Sequence, residues 1–165
     1  MISEELQAKA QIIKLVVTDI DGVWTDAKIY YTADGELMKA FSYYDGMGTA
    51  LLTKANIRTA IITGEYSMPV AQRAKKLKIE DVFLGIDDKL EVFESLLEKY
   101  QLTPSEVAYI GDDLNDYTVM QVAGLTAAPS STPAFHILKP DILLSRAGGD
   151  GAFREFADLI IASQQ

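Results

Sequence analysis

The stretch Leu15-Val16-Val17-Thr18-Asp19-Ile20-Asp21-Gly22 limits the fold more than any other part of this 165-residue chain. Its first half is apolar, too short and too β-branched for a helix, and reads as a buried strand of a parallel sheet. Ligands of open α/β sheets lie beyond the carboxyl ends of such strands. Asp19 and Asp21 therefore stand where chemistry is expected. Two carboxylates this close repel unless a cation or a shared proton compensates. A polar turn after a strand would explain one isolated Asp-x-Asp, so the weight falls on what the rest of the chain places beside it.

Strand and helix signals alternate along that remainder. Ser3 caps a short leading helix. Segments 28–32 and 37–43 flank Ala33-Asp34-Gly35-Glu36, a hairpin signal that interrupts the alternation and reads as an extension from the sheet. Helix is expected over 46–55, 67–77, 87–100, 113–122, 133–138 and from about 152 to 161. Strands are expected over 58–62, 81–84, 107–110, 125–128 and 142–144. This order implies an α/β doubly wound three-layer sandwich with a mainly parallel central sheet. No repeat or linker divides the chain, so residues 1–165 read as one domain.

Composition narrows the partners. A net charge of -9 leaves no basic face for nucleic acid or an anionic membrane. The absence of cysteine removes disulfide and thiolate chemistry. Residues 1–11 are acidic and polar, without a basic region followed by an apolar one, and no apolar run approaches the roughly 20 residues a spanning helix needs. A soluble cytoplasmic protein is expected.

Four strand ends carry polar groups that the sheet would bring to one edge. They are Asp19 and Asp21, then Thr63 and Gly64, then Asp87, Asp88 and Lys89, then Asp112, Asp113 and Asp116. Each alone has an ordinary explanation, such as Asp88 or Asp113 capping a helix. Together they meet one chemical need. Asp19 and Asp112 supply hard oxygen ligands for Mg²⁺. The Thr63 hydroxyl with nearby backbone N–H groups suits a phosphate, and Lys89 supplies a fixed positive charge beside it.

This ordered set resembles the haloacid dehalogenase superfamily of phosphotransferases, whose four motifs appear as Asp19-Ile20-Asp21-Gly22-Val23, Thr63-Gly64, Lys89 and Gly111-Asp112-Asp113-Leu114-Asn115-Asp116. The resemblance implies that Asp19 is the nucleophile and Asp21 the general acid and base. It implies that Asp19, the Asp21 carbonyl and Asp112 hold Mg²⁺, with Asp113 or Asp116 supporting them. Thr63, Gly64 and Lys89 would bind the transferring phosphoryl group. Thr63 and Lys89 are 26 positions apart and Lys89 and Asp112 are 23 apart, which leaves no room for a cap domain. An open site favours a homo-oligomer, with the 28–43 hairpin and Tyr30, Tyr31, Phe41, Tyr43 and Tyr44 between subunits.

A narrower resemblance is to the capless sugar-acid phosphatases typified by those acting on 3-deoxy-D-manno-octulosonate 8-phosphate, carried by Asp21-Gly22-Val23-Trp24-Thr25-Asp26, Asp45-Gly46-Met47-Gly48 and the 148–156 segment. It implies a homotetramer in which Ser42, Tyr43, Tyr44, Asp45 and Gly46 line the sugar pocket and Arg73 meets the substrate. One departure stands out: that family usually has arginine after Thr-Gly, and this chain has Glu65. Glu65 with Lys76 resembles the variant acting on 2-keto-3-deoxynononate 9-phosphate and N-acylneuraminate 9-phosphates, so a nine-carbon sialic-acid-type substrate is the expectation and the eight-carbon one the alternative. A non-catalytic oligomerisation unit, or a receiver domain, fits less well. The former would lack the nucleophile, and the latter places its acid pair and phospho-acceptor on other strands.

Overall fold

In the computed structural model, which describes residues 3–165, six parallel strands form one sheet. Helix α1 (Glu4–Gln11) leads into β1 (Leu15–Thr18), and a hairpin of β2 (Tyr30–Thr32) and β3 (Gly35–Met38) follows. Then come α2 (Tyr43–Lys54), β4 (Arg58–Ile62), α3 (Met68–Leu77), β5 (Asp81–Phe83) and α4 (Lys89–Tyr100). The chain ends with β6 (Val107–Ile110), α5 (Tyr117–Met120), β7 (Leu125–Ala128), α6 (Phe135–Leu138), β8 (Ile142–Leu143) and α7 (Ala152–Ser163). The order β5-β4-β1-β6-β7-β8 places β1 at the centre, where the winding reverses. That reversal opens a crevice beyond the carboxyl ends of β1 and β6.

Period-two alternation sorts the strands' side chains to two faces. Val16, Ile61 and Ile110 join Leu52, Phe153, Phe156 and Ile160 in one core. Leu15, Val17, Ile62 and Tyr109 join Phe93, Leu96 and Val119 in the other. Two apolar layers around a wholly buried central strand are what the β1 sequence implies. Among the described residues no helix is long and apolar enough to cross a membrane.

Three expected elements differ by more than two residues. Helix α2 begins at Tyr43, not 46, because the Ser42 hydroxyl accepts from the Tyr44 N–H at 3.2 Å and starts the helix early. Gly46 is helical as expected, and a Cβ there would stand 2.7 Å from Arg73 Nη2. The helix expected over 113–122 is a single 3₁₀ turn, Leu114–Asp116, followed by the four-residue α5. The Asp113 carboxylate caps that turn, accepting from the Leu114 N–H at 2.8 Å. The hairpin is tighter than expected, with Gly35 and Glu36 already in β3 and Thr32 paired to Gly35.

Candidate active site

The turn after β1 is set by short side chains. The Thr18 hydroxyl donates to the Asp19 carbonyl at 2.6 Å and accepts from Trp24 Nε1 at 2.9 Å, and Thr25 Oγ1 accepts from the Gly22 N–H at 3.3 Å. Gly22 has φ +85°, and a Cβ there would lie 1.7 Å from Asp112 Oδ2, so any side chain would displace that carboxylate. This close approach brings the β1 and β6 loops together.

Asp19, Asp112 and Asp116 each place a carboxylate oxygen within 4.8 Å of the others. Lys89 stands among them, its Nζ 3.0 Å from Asp19 and 2.7 Å from Asp116. Lys89 is the first residue of α4, where a cation opposes the helix dipole; Asp88 offsets this by capping Leu90 and Glu91 at 3.0 and 3.3 Å. Both oxygens of Asp116 are occupied. Oδ1 accepts from Lys89 and from the Tyr109 hydroxyl at 2.6 Å, and Oδ2 accepts from the Asp112 and Asp113 N–H groups at 2.8 and 3.3 Å. With Asp116 so engaged, Asp19 and Asp112 are the members of the cluster that could offer oxygens to a cation.

Three carboxylates face one ammonium, an excess of two negative charges. A divalent cation with oxygen ligands matches that excess. Burial pushes Asp19 up to about 7, the Asp116 charge adding and Lys89 opposing. Burial also pushes Asp112 up to about 8, with Asp19, Asp116 and Asp113 adding. Burial pulls Lys89 down, yet Asp19 and Asp116 outweigh it and raise it above the usual lysine range. The raised carboxylates hold protons that the unfolded chain has already released, so cation-free stability falls as pH climbs from the ordinary carboxylate range to about 8. A cation must displace those protons, so its binding strengthens over the same window. Mg²⁺ is accordingly expected to raise the melting temperature several degrees more at about pH 8.5 than at about pH 5.5. Equal shifts at both, read by scanning calorimetry, would contradict this electrostatic picture.

The cavity above this cluster, about 510 Å³, is lined by Asp19, Asp21, Ala27, Thr63, Gly64, Glu65 and the 112–115 loop. Thr63 is held by its backbone, its N–H donating to Phe83 O and its carbonyl accepting from the Ile86 N–H. The structure thus gathers Asp19, Asp21, Thr63, Gly64, Glu65, Asp112 and Asp113 at one mouth, with Lys89 and Asp116 beneath.

Other sequence expectations do not converge there. Asp45 is fully buried, and its Oδ1 accepts from the Arg154 N–H at 2.9 Å. It supplies the cap for α7 that Gly151 has no side chain to make, and burial pushes it up to about 6. Arg73 lies against the Phe41 ring and donates to the Ser42 carbonyl at 3.3 Å, away from the cavity. Ser42 is the α2 cap, Gly46 packs on Arg73, and Tyr43 and Tyr44 point to solvent. Lys76 is in the last turn of α3, about 12 Å along the axis from the end nearest Glu65, and no ion pair joins them among the described residues.

Three groups escaped the sequence reading. Asn115, in the fourth motif without a role of its own, lines the cavity with its amide facing Gly64. Tyr109 was read only as strand core. Lys39 carried no signal at all, yet its Nζ lies 2.6 and 2.8 Å from the two oxygens of Asp21.

A doubly wound sheet with this acidic, lysine-braced site at its reversal point defines a phosphoric monoester hydrolase. A family model described as haloacid dehalogenase-like hydrolase matches residues 36–124. Over 163 residues the chain is 40% identical to 3-deoxy-D-manno-octulosonate 8-phosphate phosphatase of Escherichia coli strain K12, covering 99% of this chain and 87% of the relative. The crystal structure of the Yersinia pestis phosphatase of that name superimposes with TM-score 0.94 at 38% identity, covering 99% of this chain and 88% of the other. That of Moraxella catarrhalis, solved with magnesium, phosphate and KDO, gives 0.92 at 38% identity and covers 97% and 92%. The chain belongs to the haloacid dehalogenase-like hydrolases, in their capless branch.

Proposed function

We propose that this enzyme hydrolyses 3-deoxy-D-manno-octulosonate 8-phosphate with Mg²⁺, as a single-domain cytoplasmic protein. The observation that carries the chemistry is the Asp19 carboxylate, 3% exposed and braced at 3.0 Å by Lys89, in a mouth shared with Asp21, Thr63 and Gly64. Asp19 and Asp112 would hold the ion together with the Asp21 carbonyl, and the ion would neutralise charge on the phosphate. An Asp19 oxygen attacks phosphorus and the bond to the sugar oxygen breaks, giving an aspartyl-phosphate. Asp21 gives its proton to the departing sugar oxygen. It then takes one from water, whose oxygen attacks phosphorus, releasing phosphate and restoring Asp19. Lys89 and Thr63 hold the phosphoryl oxygens throughout, since phosphoryl transfer depends mainly on positioning and charge.

The comparisons favour the eight-carbon alternative and do not support the nine-carbon expectation. That expectation rested on a resemblance at Glu65 and Lys76; Glu65 lines the mouth, whereas Lys76 of the same chain lies in the last turn of α3 and does not. The relatives compared above carry the eight-carbon name. Phosphate release from 3-deoxy-D-manno-octulosonate 8-phosphate, 2-keto-3-deoxynononate 9-phosphate and N-acetylneuraminate 9-phosphate tests the substrate. The eight-carbon ester is expected to give the highest kcat/KM. A nine-carbon preference would return Glu65 to sugar recognition, and turnover of simple esters alone would leave the phosphatase without its sugar.

The same reading includes a homo-oligomer, a tetramer by family resemblance, in which a neighbour covers the open mouth. Tyr30 and Tyr31 of the hairpin and Tyr43 and Tyr44 of α2 are 50, 65, 78 and 61% exposed, and Leu37 and Met38 of the hairpin are exposed as well. Only Phe41 of the expected aromatics packs on the chain's own core. Exposed apolar groups in this number suit a contact surface. Sedimentation as a monomer at micromolar concentration would remove this part of the reading.

A further inference from the structure

Lys39 and Lys89 are the buried lysines among the described residues, and only Lys89 has a place in the chemistry so far. Burying an ammonium is costly unless it is paired and hydrogen-bonded. Lys39 stands just past β3, in the return from the hairpin, with no exposed side-chain surface. Its Nζ bonds both Asp21 oxygens, at 2.6 and 2.8 Å. Glu36 Oε2 flanks it at 3.7 Å, and Glu36 Oε1 accepts from the Ser67 hydroxyl at 2.6 Å. Ser67 is the N-cap residue of α3, yet its side chain makes no bond to that helix. Its hydroxyl is given to the hairpin instead. A continuous polar chain thus runs from the head of α3 through Glu36 and Lys39 to Asp21.

We propose that Lys39 is a positioning residue for Asp21. By gripping both carboxylate oxygens it selects the side-chain rotamer in which Asp21 faces the cavity mouth, and Glu36 and Ser67 keep the ammonium in register. This inference rests on the reading of Asp21 as acid and base. Its consequence is that the hairpin, which exposes Tyr30, Tyr31, Leu37 and Met38, is tied directly to a reacting group. Whatever settles the hairpin also settles Asp21.

The test is steady-state kinetics on the full chain with Mg²⁺ and the best phosphate ester found for the wild type. Lys39→Met, similar in length but uncharged, is expected to lower kcat about 30-fold with KM within about threefold, since misplacing a reacting group by an ångström costs up to about 100-fold. Lys39→Arg, which keeps the charge and can grip both oxygens, should recover to within about fivefold of wild type. Glu36→Gln should lose about threefold to fivefold in kcat. On an Asp21→Asn background, Lys39→Met should cost less than about twofold more, because residues acting through one group are not additive. A Lys39→Met kcat within about twofold of wild type, or a loss that multiplies in full on Asp21→Asn, would overturn the proposal. Should Lys39→Met not fold, Glu36→Gln decides, and an unchanged kcat there overturns the proposal equally. A wild type inactive on every ester would instead fail the phosphatase reading, and this inference with it.

Discussion

Asp19→Asn is expected to cut phosphate release at least about 10⁴-fold and to make the cation-free protein more stable at alkaline pH, two effects of opposite sign at one position. The first follows from chemistry: an amide oxygen cannot attack phosphorus and be regenerated by hydrolysis. The second follows from electrostatics. Asp19 is 3% exposed and pushed up to about 7, first by burial and then by the Asp116 charge. Above that pH the folded chain carries the buried charge at a cost on the order of a few kcal/mol, which a neutral amide escapes. Below the ordinary carboxylate range the cost is absent in both proteins, so the stability difference should vanish there. Lys89 loses one partner in the variant but keeps Asp116 at 2.7 Å. Phosphate release at about pH 8 and calorimetric melting at about pH 8 and about pH 3 read both effects. Activity above about 1% of wild type would remove Asp19 as nucleophile, and a variant that melts lower at pH 8 would show that carboxylate crowding is not the dominant strain.

The contrast between Asp19 and Asp45 shows which parts of the site could be read from sequence. Asp19 ends an apolar β-branched run, so strand geometry alone put it at the sheet's carboxyl edge. The same logic located Thr63 after β4 and Asp112 after β6, because parallel strands share one edge. Asp45 lies in a segment with a Ser cap, two tyrosines and two glycines, where local signals for loop and helix compete. Its role was decided by α7, more than a hundred residues later, whose glycine N-cap needed an outside acceptor. Lys39 failed for a related reason. A lysine after a hairpin strand ordinarily faces water, and only the fold-back of the hairpin onto the β1 loop buries it. Lys76 is a case of the same kind, since the length of α3 carries it about 12 Å along the axis from the end nearest Glu65. Edges set by strand ends were readable, whereas contacts made by folding one element over another were not.

Removing Asp116 should cost more stability than any other single change at the site, and asparagine should not rescue it. Asp116 is completely buried, and all four groups on its carboxylate are donors: the Lys89 ammonium, the Tyr109 hydroxyl and the Asp112 and Asp113 N–H groups. Asp116→Ala strands them in a dry pocket, and breaking a buried ion pair on one side costs about 3–5 kcal/mol. Asp116→Asn has one acceptor and one donor end. Whichever way the amide turns, its NH₂ meets donors, so a loss of about 2–4 kcal/mol is expected even from this isosteric change. An opposing term exists, because the Asp116 charge helps to push Asp19 and Asp112 up, and both variants relieve it. The lost bonds win, since four donors in Asp116→Ala and two in Asp116→Asn lose a partner while the repulsion only moves two titrations. That relief nevertheless has its own signature: in either variant the pH at which Mg²⁺ begins to raise the melting temperature should move lower. Urea unfolding measures the first effect, and calorimetry with and without Mg²⁺ across pH measures the second. If Asp116→Asn were as stable as wild type, the carboxylate would not be the hub on which Lys89, Tyr109 and the Asp112 loop are hung. If stability fell while the Mg²⁺ window stayed put, Asp116 would brace the fold without setting the charge of the site.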